Sequence, residues 1–271
     1  PLVAPTLGWA IIKAKLWRNL MFIPLLILLA WINGQSHYHL LGGSAPSLSD
    51  TQSAILIITL IIVIMGGRVI PFFTANALGR KKPQPHTILE TFAILPLIIA
   101  ILYSMVTRHL HPIPMLGILF LVTAVANAVR FGLWNGQHTL NNPLLWSLHL
   151  AYLMIILSLW LLSSYHFGLP IPLNSALHGL TIGGMGLMIL AMISRVSLGH
   201  TGRSLSVGKW ITLSYLAIFA AALIRVLAPL ISDQPNTGYI MGAMLWVFAF
   251  LIFVVVYWPI LTKPRADGRP G

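Results

Sequence analysis

The fold of this chain is decided by residues 53–77, which read SAILIITLIIVIMGGRVIPFFTANA. Arg68 is the one charged side chain in this stretch. A continuous apolar run of more than about 18 residues is typical of a helix that crosses a membrane, whereas the strands of a membrane β-barrel alternate apolar and polar residues. Residues 53–77 therefore predict a transmembrane helix.

Seven other stretches show the same pattern. They cover residues 19–41, 88–106, 112–131, 144–163, 176–198, 210–230 and 239–261. Only 7% of the chain is charged and 58% is hydrophobic, which excludes a soluble domain, where about a quarter of the residues are charged. We predict an all-α, polytopic transmembrane helix bundle of about eight spans, forming a single domain over residues 1–271.

The charged residues predict the orientation of the bundle. The net charge is +12, but the cations are scattered between apolar runs, which favours membrane orientation over nucleic-acid binding. One side holds nearly all of them, namely Lys13, Lys15, Arg18, Arg80, Lys81, Lys82, Arg130, Arg195, Arg203, Lys209, Lys263, Arg265 and Arg269. The opposite loops hold Arg108, Asp50 and Asp233. Because cytoplasmic loops are rich in Lys and Arg, both ends of the chain are predicted to be cytoplasmic.

The ten histidines fall into two layers under this topology. The outer layer contains His37, His39, His109, His111, His166 and His178, and the cytoplasmic layer contains His86, His138, His149 and His200. Solvation at the membrane interface explains most of them. His149 and His178 lie inside spans, where ionisable groups are costly unless they are used. His178 and His200 are about 33 Å apart along one helix, so any metal chemistry needs two centres or a single layer.

The span 176–198 carries two stripes with helical spacing. Gly179, Gly183 and Gly186 form a flat stripe that admits either a neighbouring helix or a planar macrocycle. On the adjacent stripe His178 is followed by Met185, Met188 and Met192. Imidazole and thioether ligands suit haem iron or soft copper, although methionine also fills gaps between packed helices. Both interpretations stay open.

Arg68 lies too deep in its span for easy snorkelling, and Pro71 predicts a kink beside it. Glu90 is the one acid placed inside a span. Arg68 and Glu90 are therefore candidates for an ion pair. The alternative is that Arg68 holds a haem propionate or another anion.

Two further segments are candidate sites. Trp146, His149 and Tyr152 recur every three residues on one face of a span. The segment from Arg195 to Arg203 reads RVSLGHTGR, and its glycines permit a turn whose backbone N–H groups cradle an anion, to which Arg203 adds a forked donor. A simple positively charged cytoplasmic loop is the alternative.

These segments resemble the NnrS family, bacterial membrane proteins associated with the response to nitric oxide. The resemblance rests on four ordered motifs: GRVIPFFT at 67–74, WSLH at 146–149 with Tyr152, HGLTIGGMGLM at 178–188 and MISRVSLGHTGR at 192–203. It implies a bundle of about twelve spans that binds haem and copper. The chain would then be the C-terminal two-thirds of such a protein, without the family's N-terminal His-x-His-Glu segment.

The positions of these residues in the spans, taken with the haem and copper that the resemblance implies, give the expected site. We expect cofactor-binding roles for Arg68, His149, His178, Arg195, His200 and Arg203, with His149, His178, His200 and Met185 as metal ligands. His149 and His200 would form a cytoplasmic-side centre, and His178 with Met185 an outer one. The expected surroundings are the lipid bilayer of the bacterial inner membrane, and the expected small ligand is nitric oxide.

Two other functions stay open. The first is an enzyme related to nitric-oxide reductases or haem–copper oxidases, which is disfavoured because the chain has no adjacent His-His pair and no bank of acids beside Glu90. The second is a transporter, because Gly and Pro interrupt the span that contains Arg68. A binding protein without turnover is the favoured reading.

Overall fold

In the computed structural model the chain is an all-helical bundle, described for residues 3–42, 48–107, 111–232 and 234–268. Over these residues it contains no strand. The helices are α1 (Val3–Lys13), α2 (Phe22–Leu41), α3 (Leu48–Ala77), α4 (Thr87–Thr107), α5 (Pro114–Gly132), α6 (Pro143–His166), α7 (Leu173–His200), α8 (Lys209–Ile231) and α9 (Asn236–Thr262). Arg108, His109, Asp233 and Arg269 lie outside the described residues.

The predicted fold class is confirmed, and the number of spans is confirmed to within one. Within the described residues, the seven helices α3–α9 are long and apolar enough to cross a membrane. The stretch predicted as a span at 19–41 forms α2, but its second half is polar, with Asn33, Gln35, Ser36, His37 and His39. Those side chains lower the mean hydropathy of α2 below that of a typical span.

Helix α6 lies at the centre of the bundle. It packs against α3, α5, α7 and α8, and its apolar side chains are more deeply buried than those of the other spans. Proline begins both α5 and α6, where its missing N–H costs no hydrogen bond, and the Asn142 side chain caps α6 by accepting from the N–H of Leu144. Helix α9 packs only along one side, against α7 and α8. Its other side carries large exposed apolar residues, as expected for a face in lipid.

A π-helical segment interrupts α7. Residues Gly179–Gly186 form eight residues of π-helix between the α-helical parts Leu173–His178 and Leu187–His200. Hydrogen bonds from i to i+5 wind the chain more slowly than the ordinary 3.6 residues per turn. The predicted stripes, which assumed α-helical spacing through this segment, therefore do not hold across it.

The cation-rich ends of the helices meet at one end of the bundle. There the Lys82 ammonium donates to the carbonyl of Arg68 at 3.2 Å, and Arg265 donates to the carbonyl of His200 at 2.9 Å. Arg195 lies 4.0 Å from the ring centre of Phe73. These contacts join the ends of α3, α7 and α9, which the charge pattern had placed on a single side.

The topology can be tested with reporter domains inserted into loops. We expect reporters after Lys82 and Lys263 to report the cytoplasm and a reporter before Asp50 to report the outer side, because the cations cluster at the first two positions. A reporter after Lys13 decides whether α2 crosses, and we expect the cytoplasm there. An outer position for that reporter would mean that α2 stays on one side, and a reversed result at Lys82 would refute the orientation.

Candidate functional site

A buried arginine, Arg130 of α5, forms an ion pair with the partly exposed Glu90 of α4. Their Nε and Oε1 atoms are 3.1 Å apart, and the side chains of Arg130 and Glu90 are 2% and 33% exposed. The Nε–H bond of Arg130 does not point at the carboxylate in the direction that a hydrogen bond needs, so the contact is an ion pair only. The sequence had suggested Arg68 as the partner of Glu90 and had used Arg130 only as an orientation marker. The structure corrects both points, since the carboxylate lies against Arg130.

A polar network surrounds this pair. Arg130 donates from Nη1 to Oδ1 of Asn127 at 3.1 Å and from Nη2 to the carbonyl of Val63 at 3.5 Å. The hydroxyl of Tyr152 also donates to Oδ1 of Asn127. Asn127 in turn donates to the carbonyl of Ala93 at 3.1 Å. The network therefore joins α3, α4, α5 and α6.

Two adjacent glycines make room for the network. A Cβ added at Gly67 would overlap Nη2 of Arg130, and one added at Gly66 would lie 2.9 Å from Cε2 of Tyr152. The pair Gly66-Gly67 in the middle of an apolar span was the sequence signal for a buried side chain at this point. α3 continues as a helix through Pro71.

His149 lies on the other side of these aromatic residues. It is 5% exposed, and its Nε2 is 2.9 Å from Oγ1 of Thr74 on α3. The ring centres of Phe131 and Trp134 are 5.6 and 6.3 Å away. Its Nδ1 is buried and has no hydrogen-bond partner among the described residues. A buried polar atom without a partner calls for an explanation, and a missing ligand is one.

An apolar groove runs past His149. It has a volume of about 510 Å³ and is lined by Phe131, Trp146, Leu150, Leu216 and Phe219, together with Gly132 and Gly136. A Cβ at Gly136 would lie 2.7 Å from Nδ1 of His149, whereas the space beside Gly132 is open. Of the stripe predicted from spacing, Trp146 and His149 line this groove, while Tyr152 belongs to the Arg130 network.

His178 lies near the beginning of α7, at the opposite end of the bundle from His149, which lies near the beginning of α6. Its Nε2 is 3.0 Å from Nη1 of Arg225, and Arg225 also donates to the carbonyl of Tyr239 at 3.1 Å. The rings of His178 and Tyr239 are 5.2 Å apart. The sequence had indicated Arg108 as the cation of the outer side of the membrane and had not indicated Arg225. A lone arginine near the end of an apolar helix was the available signal.

The glycines of α7 are occupied by helix packing. A Cβ at Gly183 would meet Met154 of α6 at 2.7 Å, and one at Gly184 would meet Ile155 at 2.6 Å. Gly186 faces Trp246 of α9 instead. Of the two interpretations of the glycine stripe, the structure supports a neighbouring helix rather than a planar macrocycle. The π-helical winding also removes the seven-residue alignment that placed Met185 on the same stripe as His178.

Residues 265–267 pack against the segment 195–203. Arg265 pairs with both carboxylate oxygens of Asp267, at 2.9 and 2.6 Å, and the N–H of Ala266 donates to the carbonyl of Thr201 at 3.0 Å. A Cβ at Gly202 would lie 2.5 Å from the carboxylate carbon of Asp267. The anion that faces the predicted cradle is therefore the carboxylate of Asp267. Arg203 donates to the carbonyl of Thr201 at 3.3 Å.

His149 and His200 are not joined by any contact among the described residues. His149 turns toward α3, whereas His200 is exposed and its carbonyl accepts from Arg265. Within the same residues no three His, Asp or Glu side chains are grouped closely enough to hold a metal ion. The expected two-histidine centre on the cytoplasmic side is therefore not formed by the contacts that the structure describes.

A comparison with known families identifies the chain. The family model described as NnrS protein matches residues 1–265. The chain belongs to the NnrS family. No curated protein and no solved structure matches it.

The two layers fit the cofactors expected of an NnrS-family protein to different extents. At His149, the contact with Thr74 orients the ring, the orphaned Nδ1 would supply one ligand atom and the groove would supply apolar surface, which suits one protein ligand to haem iron. At His178, the guanidinium 3.0 Å from Nε2 disfavours a cation there, which leaves Nδ1 as the ligand atom. The described residues thus supply single copper ligands rather than a complete set.

His166 was expected at the solvated interface but is buried, at 1% exposed. Its Nδ1 accepts from the N–H of Ile113 at 3.2 Å, just before α5 begins, and its ring stacks on Phe120 at 5.5 Å. This histidine satisfies a backbone donor that the helix itself leaves free. Its role in this structure is to join α5 to α6.

The Arg130–Glu90 pair gives a stability prediction. Glu90→Gln should destabilise the bundle by more than the roughly 1 kcal/mol of an exposed pair and by less than the roughly 3–5 kcal/mol of a fully buried one, because it leaves the buried Arg130 charge without its partly exposed carboxylate. The double variant Glu90→Gln, Arg130→Gln should lose less, since neither charge remains. The measurement is the denaturation midpoint of the purified protein in detergent.

The control is Asp267→Asn, which breaks the partly exposed pair with Arg265 and should cost about 0–1 kcal/mol. Equal losses of stability in Glu90→Gln and Asp267→Asn would show that the Arg130–Glu90 pair stabilises the bundle no more than an exposed pair does.

Proposed function

We propose that this chain is a haem- and copper-binding integral membrane protein of the bacterial inner membrane that takes part in the response to nitric oxide. Membership of the NnrS family and the membrane-type helical bundle support the general class. The observation that carries the proposal is the orphaned Nδ1 of buried His149 beside an apolar groove.

His149 has the features of a positioned metal ligand. When its Nε2 carries the proton and donates to Thr74, the lone pair of Nδ1 is available for a metal. Phe131 and Trp134 pack around the ring and exclude water from it. Ferrous haem, when bound, supplies a site at which nitric oxide coordinates. The chain's part is to hold one ligand in a fixed tautomer and orientation.

For copper, His178 and Met185 in the outer layer are proposed as separate candidate ligands, because the π-helical winding of α7 does not align them on one stripe. Met185 is buried and His178 is half-buried, and Nδ1 of His178 has no hydrogen-bond partner among the described residues. Imidazole and thioether are suitable ligands for soft copper. Because Arg225 lies against Nε2, copper at His178 would bind through Nδ1 and needs further ligands. Arg68, Arg195, His200 and Arg203 stay in the proposal as cofactor-binding residues. At residues 195–203 a cofactor would have to displace segment 265–267, which includes the Asp267 carboxylate.

The haem proposal predicts a specific loss in His149→Gln. In purified protein reconstituted with haem, the wild type should show a Soret band that shifts when nitric oxide is added to the reduced form. His149→Gln should lower the haem content at least about tenfold, because removing a ligand typically costs more than the 10–100-fold loss seen for outer-shell partners. The measurement is haem per protein with the optical spectrum.

The matched control is His138→Gln, the same substitution at an exposed histidine of the neighbouring loop. An unchanged haem content in well-folded His149→Gln would remove His149 from the haem site. A nitric oxide response in protein without haem would contradict the proposal as a whole.

The copper proposal predicts the opposite selectivity. His178→Gln should lower copper per protein, measured by elemental analysis, and leave the haem content of the same sample unchanged, because the two histidines lie at opposite ends of the bundle. His111→Gln, an exposed histidine at the end of the bundle where His178 lies, serves as control. If His178→Gln retains its copper, His178 is a packing residue held by Arg225.

A further inference from the structure

His178 and Arg225 meet where α7, α8 and α9 come together, at the end of the bundle opposite His149. Nη1 of Arg225 lies 3.0 Å from Nε2 of His178, and Nη2 donates to the carbonyl of Tyr239 at 3.1 Å. In the proposed function His178 is a candidate copper ligand, and Arg225 has no role of its own. The contact between these two side chains nevertheless determines where the imidazole carries its proton.

The guanidinium of Arg225 sets the tautomer of His178. An arginine side chain has five N–H donors and no acceptor, and it stays charged in proteins. In the 3.0 Å contact Nη1 therefore donates and Nε2 of His178 accepts. A neutral imidazole carries one ring proton, so that proton lies on Nδ1. Because Nδ1 has no hydrogen-bond partner among the described residues, the contact with Arg225 sets the tautomer alone.

Helix α9 holds the guanidinium in this position. Besides the hydrogen bond to the Tyr239 carbonyl, Cζ of Arg225 lies 5.3 Å from the centre of the Tyr239 ring. A Cβ added at Gly242 would lie 2.7 Å from Cγ of Arg225, so the missing side chain at Gly242 makes room for the arginine. The donor at Nε2 of His178 is therefore fixed by the packing of α8 on α9.

A metal ion and Arg225 cannot both use this imidazole. A metal bound through Nε2 would take the lone pair that accepts from Nη1 of Arg225. A metal bound through Nδ1 would move the ring proton to Nε2, where it would face the N–H of Nη1, and two donors cannot bond to each other. Histidines that bind metals donate their other ring N–H to an acceptor. On either nitrogen, metal binding therefore costs the hydrogen bond between His178 and Arg225.

His149 has the opposite kind of partner. Its Nε2 lies 2.9 Å from Oγ1 of Thr74, and a hydroxyl can accept as well as donate. Thr74 can therefore accept from Nε2–H, which leaves the lone pair of Nδ1 available. A hydroxyl partner permits the tautomer that binds a metal through Nδ1, whereas a guanidinium partner excludes it. The two histidines are thus not equivalent as ligands.

We propose that Arg225 is a specificity-determining residue of the outer layer, which holds His178 in the tautomer with the proton on Nδ1 and competes with copper for the imidazole. This inference rests on the proposed function, because it concerns His178 as a candidate copper ligand. Copper binds His178 only when the guanidinium gives up its hydrogen bond to Nε2. The haem ligand proposed at His149 is not subject to this competition.

The tautomer is measured in protein that holds no metal. The purified full chain, with isotope-labelled nitrogen in its histidine rings, is studied by NMR in detergent, and the signals of His178 are identified by their loss in His178→Gln. We expect a proton on Nδ1 and none on Nε2. A proton on Nε2 would overturn the proposal whatever the copper content.

The competition is measured with Cu(I) added to purified protein in the presence of a chelator of known affinity. In Arg225→Gln the charge is lost and the amide oxygen can accept from Nε2–H, so both tautomers become available. We expect Arg225→Gln to bind Cu(I) about tenfold more tightly than the wild type, because binding no longer breaks a hydrogen bond to a charged group. The control Arg80→Gln makes the same substitution at an exposed arginine of the cation-rich end and should leave the affinity unchanged.

The double variant His178→Gln, Arg225→Gln shows whether Arg225 acts through His178. We expect the gain in Cu(I) affinity to disappear when this variant is compared with His178→Gln. A gain that persists there, or an equal gain in Arg80→Gln, would show a general effect of charge and would overturn the proposal.

His178→Gln separates this inference from the proposed function. If that variant loses copper and Arg225→Gln shows no gain, the competition is refuted while His178 stays a copper ligand. If His178→Gln retains its copper, the copper proposal fails and the competition fails with it. The denaturation midpoint of each variant checks its folding, and the tautomer of the wild type decides the proposal if Arg225→Gln does not fold.

Discussion

The ion pair of Arg130 with Glu90 is the contact on which the arrangement of this bundle depends. A charge buried among apolar helices costs several kcal/mol unless it is paired and hydrogen-bonded. Arg130 meets this requirement only through three helices: the carboxylate of Glu90 from α4, the amide of Asn127 from its own helix, and the carbonyl of Val63 from α3. The guanidinium of Arg130 reaches α3 because Gly67 has no side chain at that point. Pairing of one charge thus determines how three spans pack.

The same stretch of α5 separates two cavities of opposite character. Arg130 lines a polar cavity of about 320 Å³ that Arg68 and Glu90 also line, and Phe131, the next residue, packs against His149 and lines the apolar groove. Successive residues of a helix point in directions about 100° apart, so one turn presents a cation to one side and an aromatic ring to the other. Trp134 lies between the cavity and the groove, because it lines the cavity and its ring centre is 6.3 Å from that of His149.

Hydropathy predicted the helices well because it is a local property. The stretch predicted at 144–163 became Pro143–His166, and that at 210–230 became Lys209–Ile231. Pairing between spans was not predictable in the same way. Glu90 lies 22 residues from Arg68 and 40 from Arg130, and no local pattern says which arginine turns toward it. The burial of His166 likewise depends on its hydrogen bond with the N–H of Ile113. The two groups meet only when α5 and α6 pack together.

The prediction for α7 failed in part for a different reason, namely the assumption of constant helical winding. Through Gly179–Gly186 the π-helical segment turns Gly183 and Gly184 toward α6 and Gly186 toward α9. One helix thereby packs closely against two neighbours. A regular α-helix with one stripe of small residues packs less closely against a second neighbour. The change of phase also leaves His178 facing Arg225 and Tyr239. The outer histidine is therefore held by α7, α8 and α9, and the inner one by α3, α5 and α6. Because different helices surround the two histidines, the packing around either one can vary without repacking the other.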